Sequence, residues 1–487
     1  MTRPVVPRPL VHFTPRRNWM NDPNGLVHHR GVWHLFFQYN PEGSDWGNMS
    51  WGHATSLDLE NWVEQPVALW HREGEQIFSG SIVVSSEEPL EFTAVYTSAY
   101  DDGHQAQSLA TSADAGTTWH EDASNPVLDR GTTSFRDPKI LRFTDEHGDG
   151  RWVMVAVEAE ERRVLFYSSS DLRSWQYLSD FGPLGEDGVV WECPDLLPLA
   201  LDGDPLEVQW VLTLSTNPID GRADPEGSSM SAVLGHFDGR RFTSKATELT
   251  RLDHGRDFYA GVTFDSAPDG DAVMLGWMSN WRYAAAVPSD PWRGAMSLPR
   301  TLALRCVDGR PRVVQRLPAS VAGRLARAVP ATVSGPVALT LTGHSILELV
   351  WEPALTGALR LVLRGDVDAV VEIAQEGHST PLTIRRGGPA AEAVHPDFAG
   401  TSVVPSGSSA RRSLVAVLDG PLLEVFLDDG EATASQLVIL GTGTVTAELS
   451  TERAHVRVTS TDLTDGSADP DPRSAAARSG EAERTSV

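Results

Sequence analysis

Val32-Trp-His-Leu-Phe-Phe37 is the first of five similar runs. The others are Phe92-Thr-Ala-Val-Tyr96, Trp152-Val-Met-Val-Ala156, Trp210-Val-Leu-Thr-Leu214 and Ala272-Val-Met-Leu-Gly-Trp277, about sixty residues apart. A second pattern follows the first three: Ser56-Leu-Asp58 with Trp62, Ser112-Ala-Asp114 with Trp119, and Ser170-Asp171 with Trp175. Phe237-Asp-Gly239 with Phe242 is a weaker fourth copy. Each reads as an Asp turn leading to an aromatic that pins the outer edge of a small sheet. Small sheets that cannot bury a face alone must pack around a common axis. Five of them predict a five-bladed β-propeller. No long amphipathic helical pattern appears, which argues against an α/β barrel.

The chain changes character near residue 300. Fourteen of its fifteen tryptophans precede that point, and only Trp351 follows. Beyond about 326, simple apolar residues alternate with polar ones, as in Val337-Ala-Leu-Thr-Leu341 and Leu359-Arg-Leu-Val-Leu363. Period-two runs broken by Gly and Asp-Gly turns predict antiparallel strands, and about ten of them make a β-sandwich. The expected all-β division is a propeller over 1–305, a linker over 306–325, a sandwich over 326–460 and a disordered tail over 461–487. A length of 487 residues fits two domains.

Composition narrows the function. Forty basic against 66 acidic residues give a net charge of −26. That argues against nucleic acid or an anionic membrane as partner, since both call for a basic face. No apolar stretch reaches the roughly 18–20 residues of a membrane span. Residues 1–15 hold four prolines and no apolar core of a secretory signal, so cytoplasmic residence is expected unless the true start lies upstream. Two cysteines, Cys193 and Cys306, cannot make a disulfide framework.

Another short strand candidate precedes each repeated run. The five openings contain Asn21-Asp22-Pro23, Phe78-Ser79-Gly80, Arg136-Asp137-Pro138, Trp191-Glu192-Cys193-Pro194 and Asp257-Phe-Tyr259. Innermost propeller strands line one channel, so Asp22, Asp137 and Glu192 are expected at equivalent positions facing one space, with Asp257 as a looser fourth. Crowded like charges need a ligand or a reaction to offset their repulsion. No Asp-x-Asp loop or zinc-spaced histidine pair surrounds them, so no metal and no cofactor is expected. Glycosidic chemistry fits better. It needs one carboxylate as nucleophile or base and one carboxylic acid for the leaving oxygen. Trp19, Trp46, Phe78, Trp191 and Trp281 would offer apolar faces to a sugar ring.

Trp19-Met-Asn-Asp-Pro-Asn-Gly25, Arg136-Asp-Pro138 and Trp191-Glu-Cys-Pro194 resemble the three signature motifs of glycoside hydrolase family 32, the β-fructosidases. The resemblance spans residues 10–305, and the Trp281 to Pro299 stretch leans toward its levanase and exo-inulinase group. It implies a propeller followed by a sandwich. It implies Asp22 as nucleophile, Glu192 as acid/base and Asp137 as the carboxylate that binds fructose hydroxyls. Asn21, Gln38, Trp46, Phe78, Ser79, Arg136 and Trp281 match positions that hold the terminal fructose, with Tyr259 and Asp257 further out. The implied activity is a retaining exo-β-fructosidase that clips terminal fructose from levan or inulin and cleaves sucrose. Two alternatives stand beside it: a fructosyltransferase using the same intermediate, and a non-catalytic sugar-binding propeller. The intact carboxylate set disfavours the latter.

Overall fold

The computed structural model describes residues 6–219, 226–352, 357–377, 380–405, 407, 409, 411–452 and 455–464. From residue 18 to 316 the chain forms five sheets that follow one another along the chain, antiparallel except where Trp292–Arg293 adds a short parallel strand to the edge of the first. Their first strands are Asn18–His29, Glu75–Glu87, Phe135–Thr144, Val189–Ala200 and Tyr259–Thr263. Each first strand packs against its predecessor, and the fifth returns to the first. Five apolar clusters lie between neighbouring sheets. One joins Phe36, Trp51, Ile82 and Phe92 across sheets one and two. Another closes the ring with Met20 and Phe37 against Val262 and Leu275. Backbone hydrogen bonds seal this joint: His28 N–H reaches Asp265 O at 2.9 Å, and Asp265 N–H reaches Leu26 O at 2.8 Å. The arrangement is a β-propeller.

The Asp turns form as their spacing predicts. Asp58 Oδ1 accepts Asn61 N–H at 2.7 Å, Asp114 Oδ1 accepts Thr118 N–H at 2.8 Å, and Asp171 Oδ1 accepts Ser174 N–H at 2.7 Å. These are turns in which a carboxylate substitutes for a backbone acceptor. The indole of the following tryptophan closes back on each turn, Trp62 to Leu59 O at 3.0 Å and Trp175 to Leu172 O at 3.0 Å. In the third copy the serine matching Ser56 and Ser112 is Ser169, whose hydroxyl accepts Leu172 N–H at 2.9 Å.

The segment expected as a linker is mostly part of the last blade. Strands Arg300–Val307 and Arg310–Arg316 pair antiparallel. Asp308 at φ 51° and Gly309 at φ 73° join them in a two-residue turn. Both turn residues take positive φ, which matches the twist of the flanking strands. Helix Ala319–Arg327 follows and ties back to the first blade, with Arg324 holding both oxygens of Glu60 at 2.8 and 3.0 Å. The sandwich is two six-stranded sheets enclosing a core of Leu, Val and Ile. Its last strand, His455–Asp462, and buried Leu463 pass the expected border at 460. The rest of the expected tail, 465–487, lies outside the described residues. No helix among the described residues is long and apolar enough to cross a membrane.

Propeller and sandwich share a buried polar seam. Arg300 donates to Asp253 at 2.8 Å and, from Nε, to Glu424 of the sandwich at 3.0 Å. Glu424 also meets His12 Nε2 at 3.0 Å, and His12 Nδ1 meets Asp419 at 2.8 Å. Burial works against the charged His12 imidazole, but Asp419 and Glu424 outweigh it and push its pKa up to about 9. In the first blade, His34 and His53 contact each other at 3.1 Å. Burial lowers their pKa values to about 4 and about 3.

These shifts have opposite signs in stability. His12 titrates above its ordinary 6.5, so its contribution is complete below pH 6.5 and is lost as the pH rises through 9. His34 and His53 titrate below 6.5, so theirs is present above pH 6.5 and is lost as the pH falls toward 4. In urea-unfolding midpoints across pH, His12→Gln is expected to flatten the slope between 6.5 and 9. His53→Gln is expected to alter the slope only below 6.5. Variant profiles parallel to wild type would refute the linkage.

Candidate active site

Each inner propeller strand breaks register near its start. In all five, two residues oppose a single residue of the neighbouring strand: Asn21–Asp22, Phe78–Ser79, Asp137–Pro138, Cys193–Pro194 and Ala260–Gly261. A regular strand sends successive side chains to opposite faces. A bulge cancels that alternation and re-aims a side chain. Adjacent residues such as Arg136 and Asp137, or Glu192 and Cys193, therefore reach the same site. Asp137, Cys193 and Ala260 take left-handed φ values of 61°, 48° and 54°. For a residue with a Cβ that conformation costs roughly 1–2 kcal/mol. The prolines fit because a bulge leaves a backbone N–H without a ladder partner, and proline has none to leave. Gly80 answers a steric demand: a Cβ there would lie 2.2 Å from Val95 O.

The side chains form two linked groups. Asp22 Oδ2 accepts the Ser79 hydroxyl at 2.8 Å and faces the Cys193 thiol at 3.5 Å. Asn21 donates to Asp22 Oδ1 at 3.1 Å, and its own oxygen accepts the Trp19 indole N–H at 2.8 Å. Asp137 Oδ2 accepts Cys193 N–H at 2.9 Å and lies 3.7 Å from the same thiol. Glu192 belongs to the second group: Arg136 Nε donates to Oε1 at 3.2 Å, and the Tyr259 hydroxyl donates to Oε2. Trp281 packs near Trp19 at 6.1 Å and Tyr259 at 6.5 Å between ring centres. Trp46, 47 % exposed, meets Phe78 edge-on at 5.9 Å. Gln38 is buried and donates to Ile77 O at 3.0 Å, which braces the second bulge.

Three sequence expectations need correction. Trp191 offers no face to a sugar ring: it is fully buried in the apolar cluster between the third and fourth sheets. Glu192 is not the register equivalent of Asp137. It precedes its bulge, as Arg136 and Tyr259 do, and Cys193 stands where Asp137 stands. Asp257 is not in the channel. It is fully buried two residues before Tyr259, where its carboxyl meets Tyr283 at 2.7 Å and Arg386 of the sandwich at 2.5 Å. Residues that sequence reasoning passed over support the bulges from behind. Thr97 Oγ1 accepts Asp137 N–H at 2.9 Å, and Ser215 Oγ accepts Ala260 N–H at 2.9 Å. No local signal singles them out, since both strands carry other buried hydroxyls, Thr93 and Ser98 on one and Thr213 and Thr216 on the other. Among the described residues, no group of three or more His, Cys, Asp or Glu is placed to hold a metal ion.

Burial dominates the electrostatics. It pushes the Asp22 carboxyl up to about 6, aided by the Glu192 charge and opposed by the Ser79 and Asn21 hydrogen bonds. It pushes Asp137 up to about 7, with Arg136 opposing and Glu192 and Asp22 adding. Burial and then the three carboxylates drive the Cys193 thiol well above its ordinary value, so it remains a protonated donor. A carboxyl raised in the fold destabilises it once ionised. That cost is absent below the unfolded value of 3.8 and complete above about 7. Asp137→Asn keeps an acceptor for Cys193 N–H and removes the charge. It is expected to be more stable than wild type at pH 8, on the order of 2 kcal/mol, with the gain fading toward pH 4. Equal denaturant midpoints at pH 8 would contradict this.

Residues 12–316 match the family description "Glycosyl hydrolases family 32 N-terminal domain". The chain is 45% identical over 324 residues to a levanase of Bacillus subtilis (strain 168), a match covering 63% of this chain and 46% of that protein. It is 41% identical over 349 residues to the extracellular exo-inulinase inuE of Aspergillus ficuum, covering 63% and 64%. The matched region is thus less than two thirds of either relative's length. In three dimensions it is similar to the exo-inulinase of Aspergillus awamori, with a TM-score of 0.87 and 32% identity over 93% of this chain and 98% of that one. The β-fructofuranosidase of Schwanniomyces occidentalis complexed with fructosyl-erythritol gives a TM-score of 0.82 at 28% identity over 93% and 97%. With most of its propeller matched and its carboxylates gathered in one channel, the chain belongs to glycosyl hydrolase family 32.

Proposed function

We propose that this protein is a retaining exo-β-fructosidase acting on terminal β-fructofuranosyl groups of fructans and on sucrose. The observation that carries the reading is the division of labour between two carboxyls. Asp22 sits among donors that favour its ionised form: Ser79, Asn21 and Cys193. Glu192 is gripped at both oxygens by Arg136 and Tyr259 on the neighbouring blades. Levanase, exo-inulinase and invertase relatives support the substrate class.

The fructosyl group departs with positive charge spread over C2 and the ring oxygen. Asp22 attacks C2 and forms a covalent fructosyl ester, which splits one hard step into two. Glu192 gives its proton to the leaving oxygen, then takes one from the water that hydrolyses the ester. Asp137, fixed by Cys193 N–H, stands beside them to accept fructose hydroxyls. Trp281 and Phe78, both partly exposed, supply apolar faces for the ring, and buried Trp19 packs against Trp281.

The roles separate by mutation. Asp22→Ala removes the nucleophile and is expected to abolish turnover of every fructoside. Glu192→Ala loses about 10²–10⁴-fold on sucrose. With an acidic phenol as leaving group, that variant is expected to form the ester and then stall. Mass spectrometry then finds the adduct on Asp22, and azide accelerates turnover. An adduct on Glu192, or azide rescue of Asp22→Ala, would reverse the two assignments.

The acid limb of the pH–rate profile follows Asp22, which must be ionised to attack. With its value near 6, the rate falls as the pH drops below 6. The Ser79 hydroxyl stabilises the ionised form. Ser79→Ala is therefore expected to move the acid limb to higher pH, and an unmoved limb would show that another group controls it.

A further inference from the structure

The sandwich domain reaches the site through one buried arginine. Arg386 lies in strand Leu382–Gly387 and is 2% exposed. Its Nη1 donates to Asp257 Oδ2 at 2.5 Å and to Leu437 O at 2.8 Å. Its Nη2 donates to the Tyr283 hydroxyl, which in turn donates to Asp257 Oδ1 at 2.7 Å. The guanidinium lies 4.0 Å from the Phe398 ring centre and 5.1 Å from that of Tyr283. Asp257 Oδ2 also accepts Leu437 N–H at 2.7 Å. The three side chains thus close a triangle across the domain boundary.

Two corners of the triangle lead into the candidate site. Asp257 precedes by two residues Tyr259, whose hydroxyl donates to Glu192. Tyr283 follows by two residues Trp281, which packs near Trp19 and Tyr259. The segments are joined directly as well: Asn280 donates to Arg256 O at 2.7 Å, and Tyr283 N–H reaches Asn280 O at 3.1 Å. A shift of the triangle therefore moves Tyr259 and Trp281 together. A buried charge pair is weak evidence for stability alone, because desolvation offsets much of its attraction. Its geometry is stiff, however, since guanidinium and carboxylate meet in fixed directions.

We propose that Arg386 is a positioning residue for the reaction. From the sandwich side, it holds Asp257 and Tyr283 so that Tyr259 and Trp281 are set correctly against Glu192. The inference rests on the β-fructosidase reading above. It makes the second domain part of the catalytic geometry, although none of its residues need touch substrate.

The test compares full-length Arg386→Lys and Tyr283→Phe with Arg324→Lys, which loosens the remote contact to Glu60 on the outer edge of the first blade. Tyr283→Phe removes one hydroxyl and keeps the Arg386–Asp257 pair, so it carries the test if Arg386→Lys does not fold. Per folded molecule, kcat on sucrose is expected to fall roughly 10²-fold in both triangle variants, as a misplaced catalytic contact does. KM changes little, and the loss is smaller on an aryl fructoside whose leaving group needs little protonation. Arg324→Lys keeps the wild-type kcat even where its melting point drops. Wild-type kcat in both triangle variants, or an equal loss in Arg324→Lys, would overturn the positioning role while leaving the activity assignment intact. A wild-type protein that releases no fructose from sucrose, inulin or levan would overturn both.

Discussion

A strand cannot present two neighbouring side chains to the same channel without losing a ladder contact, and this site depends on that break. Every inner strand of the propeller carries a bulge at its opening. Without it, period-two alternation would turn either Arg136 or Asp137, and either Glu192 or Cys193, into the wall between blades. The local cost is visible in the left-handed φ of Asp137, Cys193 and Ala260. It is offset by hydrogen bonds from behind, where Thr97 accepts Asp137 N–H and Ser215 accepts Ala260 N–H. The interblade apolar clusters then fix where each bulge points. Fold and site are one problem here, because the ring must close for five separate bulges to converge.

The buried charges sort by what surrounds them. On the domain seam each carboxylate has a cation: Asp253 and Glu424 share Arg300, Asp419 meets His12, and Asp257 meets Arg386. In the channel, three carboxyls share chiefly Arg136, and Asp22 and Asp137 are pushed up in pKa, mainly by burial. The seam is thus electrostatically satisfied and the channel is not. A site short of countercharge suits a reaction that develops positive charge on its substrate. The −26 net charge adds little to this contrast, since exposed charges are screened within about 8–10 Å in salt.

Much of the fold was legible in the sequence because its signals are local. The Ser-x-Asp turns with their trailing Trp62, Trp119 and Trp175 are complete within a few residues, and so are the repeated strands. The Asp22-Pro23, Asp137-Pro138 and Cys193-Pro194 steps lie at the bulges, but the bulges themselves, and which residue precedes or follows each break, are set by pairing with the next strand. That is why Glu192 was aligned with Asp137 when it shares its register with Arg136. Asp257 was misread for a similar reason: its partners Tyr283 and Arg386 are 26 and 129 residues away. In the segment expected as a linker, Arg310-Pro-Arg312 lacks clean alternation, although Asp308-Gly309 carries the chemistry of a hairpin turn. The tyrosine on Glu192 was seen in the sequence but ranked too far out, since nothing local fixes the distance across two blades.

Cys193 shows how tightly the site restricts even its quiet members. Its backbone N–H is committed to Asp137, and its side chain lies within 3.7 Å of Asp137 and 3.5 Å of Asp22. A second carboxylate there would add repulsion to a channel already short of countercharge, and an apolar side chain would leave Asp22 Oδ2 with Ser79 alone among these contacts. A thiol is small, and its sulfur is a weak donor with long contact distances, which lets one group touch both carboxyls. Surrounded by acids and buried, it is held protonated. It is therefore a poor nucleophile, since reactivity belongs to the thiolate. The environment that disables this cysteine as a nucleophile also makes it a neutral bridge between two groups that would otherwise repel.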